Sequence, residues 1–292
     1  MDLMSQAMET LRLRTVQFRR HDLGGHLPAL SEKNAGLYLI EQGGAAFDAG
    51  DARLGLQAGD LLLLPRPLSR KLTPRGTNRA RLLSGEFDFA APDHPLLAAL
   101  PATIHVAEAR LRTTPHWREH VSSLAAELCE PREGSSALVT RLTEVLIIHA
   151  MRLSPPPPRA ECPNSGWLRG LHDELIKPAL GAMHGAPGHA WTIARLAQLS
   201  GQSRSAFAAH FASVMGEPPM SYLVRWRMFR ARLLLRESEL PLSAIAEQVG
   251  YGSAAAFSLA FSREHGVSPG AFRAEAQRKL APDVVAYRTA EA

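Results

Sequence analysis

Hydrophobic positions along the chain fall into two textures. From residue 14 to 110 they come in short runs, Gly36–Ile40, Leu61–Leu64, Leu82-Leu83 and Phe87–Phe89, separated by Gly, Pro, Asn and Asp. Short apolar runs with that punctuation predict strands, and their spacing a small β-barrel or sandwich. Between 115 and 153 the period lengthens. Trp117, Val121, Leu124 and Leu128, then Leu138, Leu142, Val145, Ile148 and Leu153, predict two amphipathic helices. Pro155 to Pro158 and the RAECPNSG that follows cannot continue a helix and predict a stiff extended spacer with a looser tail. From Trp167 the pattern is helical: one helix to Met183, two over 192–215, a long one over 219–236, two over 242–265, and a last from Pro269 through Arg278. The predicted organisation is α+β with two domains. Residues 1–154 form a β-barrel with two helices after it, 155–166 a linker, 167–281 an all-α domain of seven helices, and 282–292 a frayed tail.

The helical part repeats itself. In Leu199–Tyr222, LSGQSRSAFAAHFASVMGEPPMSY, Gly201 closes one helix and Ser203 offers an oxygen to the opening N–H groups of the next. Phe207 and Phe211 share one face, Gly216 stops that helix, and Pro219 suits the first turn of another. Leu242–Pro269, LSAIAEQVGYGSAAAFSLAFSREHGVSP, follows the same plan. Ile193, Leu196, Ala197 and Gly201 match Leu242, Ile245, Ala246 and Gly250; past a one-residue insertion, Phe207, Phe211, Gly216 and Pro219 match Phe257, Phe261, Gly266 and Pro269. Matched cores with unmatched surfaces indicate one supersecondary unit used twice. A helix, a turn and a second helix with an outward face is the arrangement that enters the major groove of DNA.

A length of 292 residues allows two cores, and the net charge of +5 permits a polyanion partner without requiring one. Lysine occurs only at positions 33, 71, 177 and 279, so the basic side chains are nearly all arginine, the better fork for phosphate and guanine. Cys129 and Cys162 form neither a disulfide framework nor a metal spacing, which points to a reducing compartment. The opening MDLMSQAMETLRLR has no uninterrupted apolar core of a signal peptide, and no run approaches the ~18–20 apolar residues of a bilayer span, so a cytoplasmic protein without membrane contact is expected.

Two resemblances sharpen this reading. Residues 191–274 are similar to the AraC/XylS-type DNA-binding domain, chiefly in PPMSYLVRWRMFRARLLL (218–235) and GYGSAAAFSLAFSREHGVSPGAFR (250–273). The piece GDLLLLP (59–65) looks like the second cupin motif, while SGEFDF (84–89) and HPLLAALP (94–101) resemble the cupin-type sensor half of one branch of that family. The resemblance implies a transcription regulator with double-stranded DNA and RNA polymerase as partners. It also implies a small effector in the barrel and a homodimer through the helices of 115–153. An activator is expected, with repression left open by the sequence.

The departures from the cupin pattern narrow the chemistry. The first-motif region SEKNAGLYLIE has no histidine, Arg70 stands where the second-motif histidine would fall, and Pro67 replaces a glycine. Without imidazoles no metal site and no cofactor are expected. Ser84 stands where many members of this branch carry cysteine, which removes a thiol sensor there. His116 and His120 are four apart, but with no third ligand in view they read as solvated side chains. No phosphate-cradling glycine loop, nucleophile elbow or paired carboxylates appear, so an enzyme is not expected.

On the first second-helix the outward set is Gln202, Arg204, Ser205, Ala208 and Ala209, where Arg204 alone can fork onto guanine. On the other it is Ser253, Ala254, Ala255, Ser258 and Leu259, whose alanines and leucine can only touch thymine methyls. Phosphate candidates are Arg225, Arg227, Arg230, Arg232 and Arg236 on the joining helix, with Arg263 beyond. A joining helix of ~18 residues is about 27 Å long, so both probes could stand one duplex turn apart. The alternative is a metal-independent small-molecule-binding cupin whose helical part binds DNA non-specifically or is inert.

Overall fold

In the computed structural model, residues 2–23, 34–49, 52–75, 80–92, 94–154 and 166–280 are described. The predicted proline spacer, Cys162 and the tail beyond Pro282 lie outside them. The chain folds as two compact units, Ala7–His172, and Asp173–Ala292 together with Met1–Gln6. Among the described residues no helix is long and apolar enough to cross a membrane.

A short helix, α1 (Leu3–Thr10), that the sequence texture did not announce, precedes the strands of the first unit. Its strands are β1 (Leu13–Leu23), β2 (Ala35–Gln42), β3 (Gly44–Ala49), β4 (Ala52–Gln57), β5 (Leu61–Leu64), β6 (Lys71–Pro74), β7 (Ala80–Phe89) and, after helix α2 (Pro95–Ala99), β8 (Ile104–Val106). They make a five-stranded sheet in the order β1-β7-β2-β5-β8 and a three-stranded sheet in the order β4-β3-β6, with every pairing antiparallel. Period-two alternation turns Tyr38, Ile40, Leu62, Leu64 and Leu82 inward, where they meet Phe47, Leu56 and Leu72 of the smaller sheet. The result is a curled antiparallel half-barrel of cupin type. Asp60 builds the turn into β5: its carboxylate accepts from the N–H of Gln57 (3.0 Å), the N–H of Glu108 (2.9 Å) and His105 Nε2 (3.0 Å). That side chain explains why a Gly-Asp pair precedes the four leucines.

After α3 (Glu108–Leu111), the helices α4 (Trp117–Cys129) and α5 (Ser135–Leu153) pack on each other, and α5 lies over β1, β5 and β8. A third imidazole, His149 of α5, sits 5.5 Å ring to ring from His120, which itself is 6.4 Å from His116. Among the described residues no group of three or more His, Cys, Asp and Glu side chains is placed to hold a metal.

The predicted helix from Trp167 to Met183 is in fact two, α6 (Gly166–His172) and α7 (Lys177–Gly185). Pro178 cannot follow a helical turn, and the Asp173 carboxylate takes the N–H groups of Leu175 and Ile176 at 3.0 and 3.1 Å to cap the break. As a result α6, with buried Trp167 and Leu168, belongs to the first unit and packs on α2, and the helical unit starts at Asp173 rather than Trp167.

That second unit contains α7, α8 (Ile193–Leu199), α9 (Arg204–Met215), α10 (Pro219–Glu237), α11 (Leu242–Gln248), α12 (Ala254–His265) and α13 (Pro269–Leu280). Serine caps open both second helices, Ser203 accepting from Ala206 N–H at 3.3 Å and Ser253 from Ala256 N–H at 3.1 Å. The two turns share one backbone bond, Gln202 N–H to Ala197 C=O at 2.9 Å and Tyr251 N–H to Ala246 C=O at 2.8 Å. The long helix α10 serves both repeats because it is buried on two nearly opposite faces. Tyr222 and Trp226 meet Phe211 and His184 on one side, with His184 stacked on Trp226 at 3.6 Å. Met228, Ala231 and Leu235 meet Ile245, Phe257 and Phe261 on the other.

Candidate nucleic-acid interface

Each helix-turn-helix buries its paired phenylalanines, Phe207 with Phe211 and Phe257 with Phe261, completely. That choice of inner face fixes what each helix shows to solvent. On α9, Arg204, Ser205 and Ala209 are exposed, whereas Gln202 and Ala208 are half-buried. On α12, Ala255 and Leu259 are exposed with Ser253, whereas Ala254 and Ser258 are half-buried. Leu259 stands out at 76% exposure, an apolar side chain on the outward ridge. The outward ridges also include Ala206 and Ser213 on α9 and Ala256 on α12, all exposed and absent from the sequence-derived set. A helical wheel centred on the phenylalanines, rather than on the turn, brings them in.

The arginines of α10 divide between the borders of the core and solvent. Because two faces of this helix are core, its arginines emerge along the seams and are used there. Arg227 donates from Nε to the Pro187 carbonyl (2.7 Å) and from Nη2 to the His189 carbonyl (2.9 Å). Burial holds its pKa below the ordinary arginine value, partly offset by Tyr251. The turn glycine of the second repeat, Gly250, has φ +82°, and a Cβ there would lie 2.7 Å from Arg227 Nη2 and 3.0 Å from the Gly188 carbonyl. Arg227 therefore pins the 187–189 turn beneath the second helix-turn-helix. Arg225 bonds Glu217 and lies over the Tyr222 ring. Arg232 and Arg236 stack on Phe272 at 5.4 and 5.3 Å, and Arg230 is half-buried. Arg225 is itself exposed, as is Arg263 on the outward side of α12.

This assignment has a direct test. Arg227→Ala removes two hydrogen bonds from a charged donor, each worth roughly 1.5–3 kcal/mol. It is expected to lower the thermal midpoint of the helical unit while leaving the salt dependence of DNA binding unchanged. A shallower salt slope with an unchanged midpoint would place Arg227 on phosphate instead.

A cupin-type half-barrel with a helical unit carrying two helix-turn-helix motifs defines a DNA-binding transcription regulator. Known proteins agree. The family described as Cupin matches residues 2–154, and the family described as Helix-turn-helix domain matches residues 196–275. A putative AraC-like transcription regulator of Streptomyces antibioticus is 37% identical over 253 residues, covering 77% of this chain and 82% of the relative. The RCS-specific HTH-type transcriptional activator RclR of Escherichia coli (strain K12) is 29% identical over 257 residues, covering 84% of this chain and 86% of the relative. The crystal structure of the DNA-binding domain of AdpA, a global transcriptional factor, in complex with a target DNA is 30% identical, with 38% of this chain and 98% of that one covered at a TM-score of 0.35. The chain belongs to the AraC family of transcription regulators.

Proposed function

We propose that the chain is a sequence-specific regulator in which the first helix-turn-helix reads bases and the second mainly grips backbone and shape. The observation that carries this reading is the inequality of two otherwise matched probes: the position of Arg204 at the start of α9 is taken by Ala254 at the start of α12. Base reading by the first unit falls to Gln202, Arg204, Ser205, Ala208 and Ala209, with Arg204 as the guanine fork. Ser253, Ala254, Ala255, Ser258 and Leu259 offer apolar contact and short hydroxyls only, so discrimination there comes from groove shape. Arg263 supplies a phosphate contact. At 19 residues, α10 spans about 28 Å, a length that suits two probes in successive major grooves. The half-barrel receives a small effector, α4 and α5 join two copies, and RNA polymerase is the partner through which the protein activates transcription in the cytoplasm, with no catalytic step of its own.

Selection of random duplexes by the full chain tests this. The expected site has one half-element with strong preferences including a guanine, and a second half-element one turn away with weak, shape-like preferences. Equal enrichment of all duplexes with a steep salt dependence would favour the alternative, a small-molecule-binding cupin with non-specific DNA affinity.

A further inference from the structure

The two recognition helices are fastened differently. By apolar packing α9 lies on α8 and α10, and α12 on α11 and α13. A polar bond carries α9 to one more place. Nε2 of its half-buried His210 lies 2.9 Å from Oδ2 of Asp173, the residue at which the helical unit starts. A carboxylate only accepts, so Nε2 carries the proton and donates. The other oxygen of Asp173, Oδ1, is the one that takes the N–H groups of Leu175 and Ile176 before α7. That cap holds the carboxylate still, and makes it a fixed post for the imidazole. Both side chains are mostly covered, 33% exposed for His210 and 19% for Asp173, which limits competition from water. With Phe207 and Phe211 matched to Phe257 and Phe261, His210 corresponds to Ala260 of α12, whose methyl group makes no hydrogen bond.

Ring packing and hydrogen bonding constrain a helix in different ways. Apolar burial is non-directional, so a row of rings seats a helix while resisting small rolls only weakly. A hydrogen bond fixes both distance and direction. At 3.6 residues per turn, His210 lies about 60° round the helix from Phe207 and about 100° from Phe211, off the ring row, where a fixed bond opposes roll. Base reading is sensitive to roll, because a functional group has to be held within about 0.5 Å and 10–20° of its productive geometry. We propose that Asp173 and His210 are a positioning pair for base reading, which sets the roll of α9 and with it the place where Arg204 enters the major groove. This rests on the reading of α9 as the base-reading probe. Two differences between the repeats coincide in its favour. Where α9 has Arg204 and His210, α12 has Ala254 and Ala260. The devices that build the fold, the phenylalanine pairs, the serine caps and the turn glycines, occur in both repeats. The tie to Asp173 goes instead with the arginine that has to be aimed. A second probe that grips backbone and shape tolerates a roll that would misplace a guanine fork.

The test is competition binding by the full chain between the duplex recovered by selection and two altered forms, one changed at the guanine of the strong half-element and one changed in the weak half-element. His210→Ala is expected to cut discrimination at the strong half-element about tenfold, part of the 5- to 150-fold of one bidentate base contact. Discrimination at the weak half-element should stay as in the parent chain. Asp173→Ser keeps a short oxygen for the Leu175 and Ile176 N–H groups but no longer reaches His210, and should lose the same amount. Because the two residues act through one bond, the double variant should lose no more than either single one. His210→Gln, whose amide N–H can donate to the same carboxylate, should keep most of the discrimination. Thermal unfolding of each variant shows whether it is folded. A folded His210→Ala with full discrimination, additive losses in the double variant, or His210→Gln losing as much as His210→Ala overturns the proposal. So does an equal weakening of every duplex together with an earlier unfolding transition, which would make the bond a fastening of the fold alone. The two readings fail separately: a parent chain without preference at the strong half-element removes base reading by α9 and this inference with it, whereas preference kept by both the parent and His210→Ala removes the positioning pair alone.

Discussion

Phe211→Ala is expected to remove about 3–5 kcal/mol from the stability of the helical unit, and with it specific DNA binding. The ring is fully buried, 5.6 Å from Phe207 and 5.7 Å from Tyr222. Truncation opens a cavity between α9 and α10, and the wall on the α10 side resists collapse. Tyr222 is held by its hydroxyl to His184 Nε2 at 2.6 Å, and His184 is stacked on Trp226 at 3.6 Å. A wall fixed by both a hydrogen bond and stacking relaxes little, which puts the cost toward the upper end of the range. Against the roughly 5–15 kcal/mol of an ordinary domain, that is a third or more of the total. Thermal unfolding of the full chain, followed by circular dichroism, reads the effect as an earlier transition. The equivalent Phe261→Ala, whose ring meets Phe257 at 5.7 Å and Phe272 at 5.6 Å, should cost a similar amount. Its effect on sequence preference should be smaller, since the second probe reads less. A loss below about 1 kcal/mol for Phe211→Ala would mean that α9 is not seated on this face.

How far the sequence revealed the fold depended on how far apart the interacting residues are. The serine caps, the left-handed glycines and the phenylalanine pairs act within a few residues, so their chemistry is visible in the string itself. The four leucines of β5 were equally visible, as a short apolar run between turn residues. The break between α6 and α7 was missed although Pro178 was in plain view, because Trp167, Leu171 and Leu175 keep a helical spacing across it. Along α10 the sequence offered five arginines as phosphate candidates without telling which of them border the core. What absorbs Arg227 is a pair of carbonyls at Pro187 and His189, roughly forty residues upstream, and nothing local to Arg227 records them. Arg70 meets Gly36 and Tyr38 of β2 only through the pairing and curl of the sheets. Their convergence required the register, although Arg70 was already conspicuous as a charge in a cupin's histidine position. His149 was hidden for the same reason, on a different helix from His116 and His120.

Arg204→Ala is expected to weaken binding to the selected site about 5- to 150-fold, the 1–3 kcal/mol of one bidentate base contact, while affinity for unrelated duplexes changes little. Arg204 begins α9, directly after the capping Ser203, and is the exposed residue of that helix able to fork onto guanine. Arg263→Ala is the control for the other kind of contact. Near the end of α12, it should weaken all duplexes alike and reduce the salt slope by about 1. The two variants should therefore move different observables, sequence preference in one case and salt dependence in the other. A complementary substitution follows from the repeat: Ala254→Arg puts at the start of α12 the group that α9 already carries at the matched position. If the inequality between the probes lies in their side chains, Ala254→Arg should create a guanine preference in the weak half-element without altering the strong one. If Arg204→Ala instead weakens every duplex equally and lowers the salt slope, Arg204 is a phosphate contact and the base reading has to be sought among Gln202, Ser205 and the small residues of the ridge. In that case Ala254→Arg should add affinity everywhere and preference nowhere, because the geometry of the repeat is the same at both helix starts.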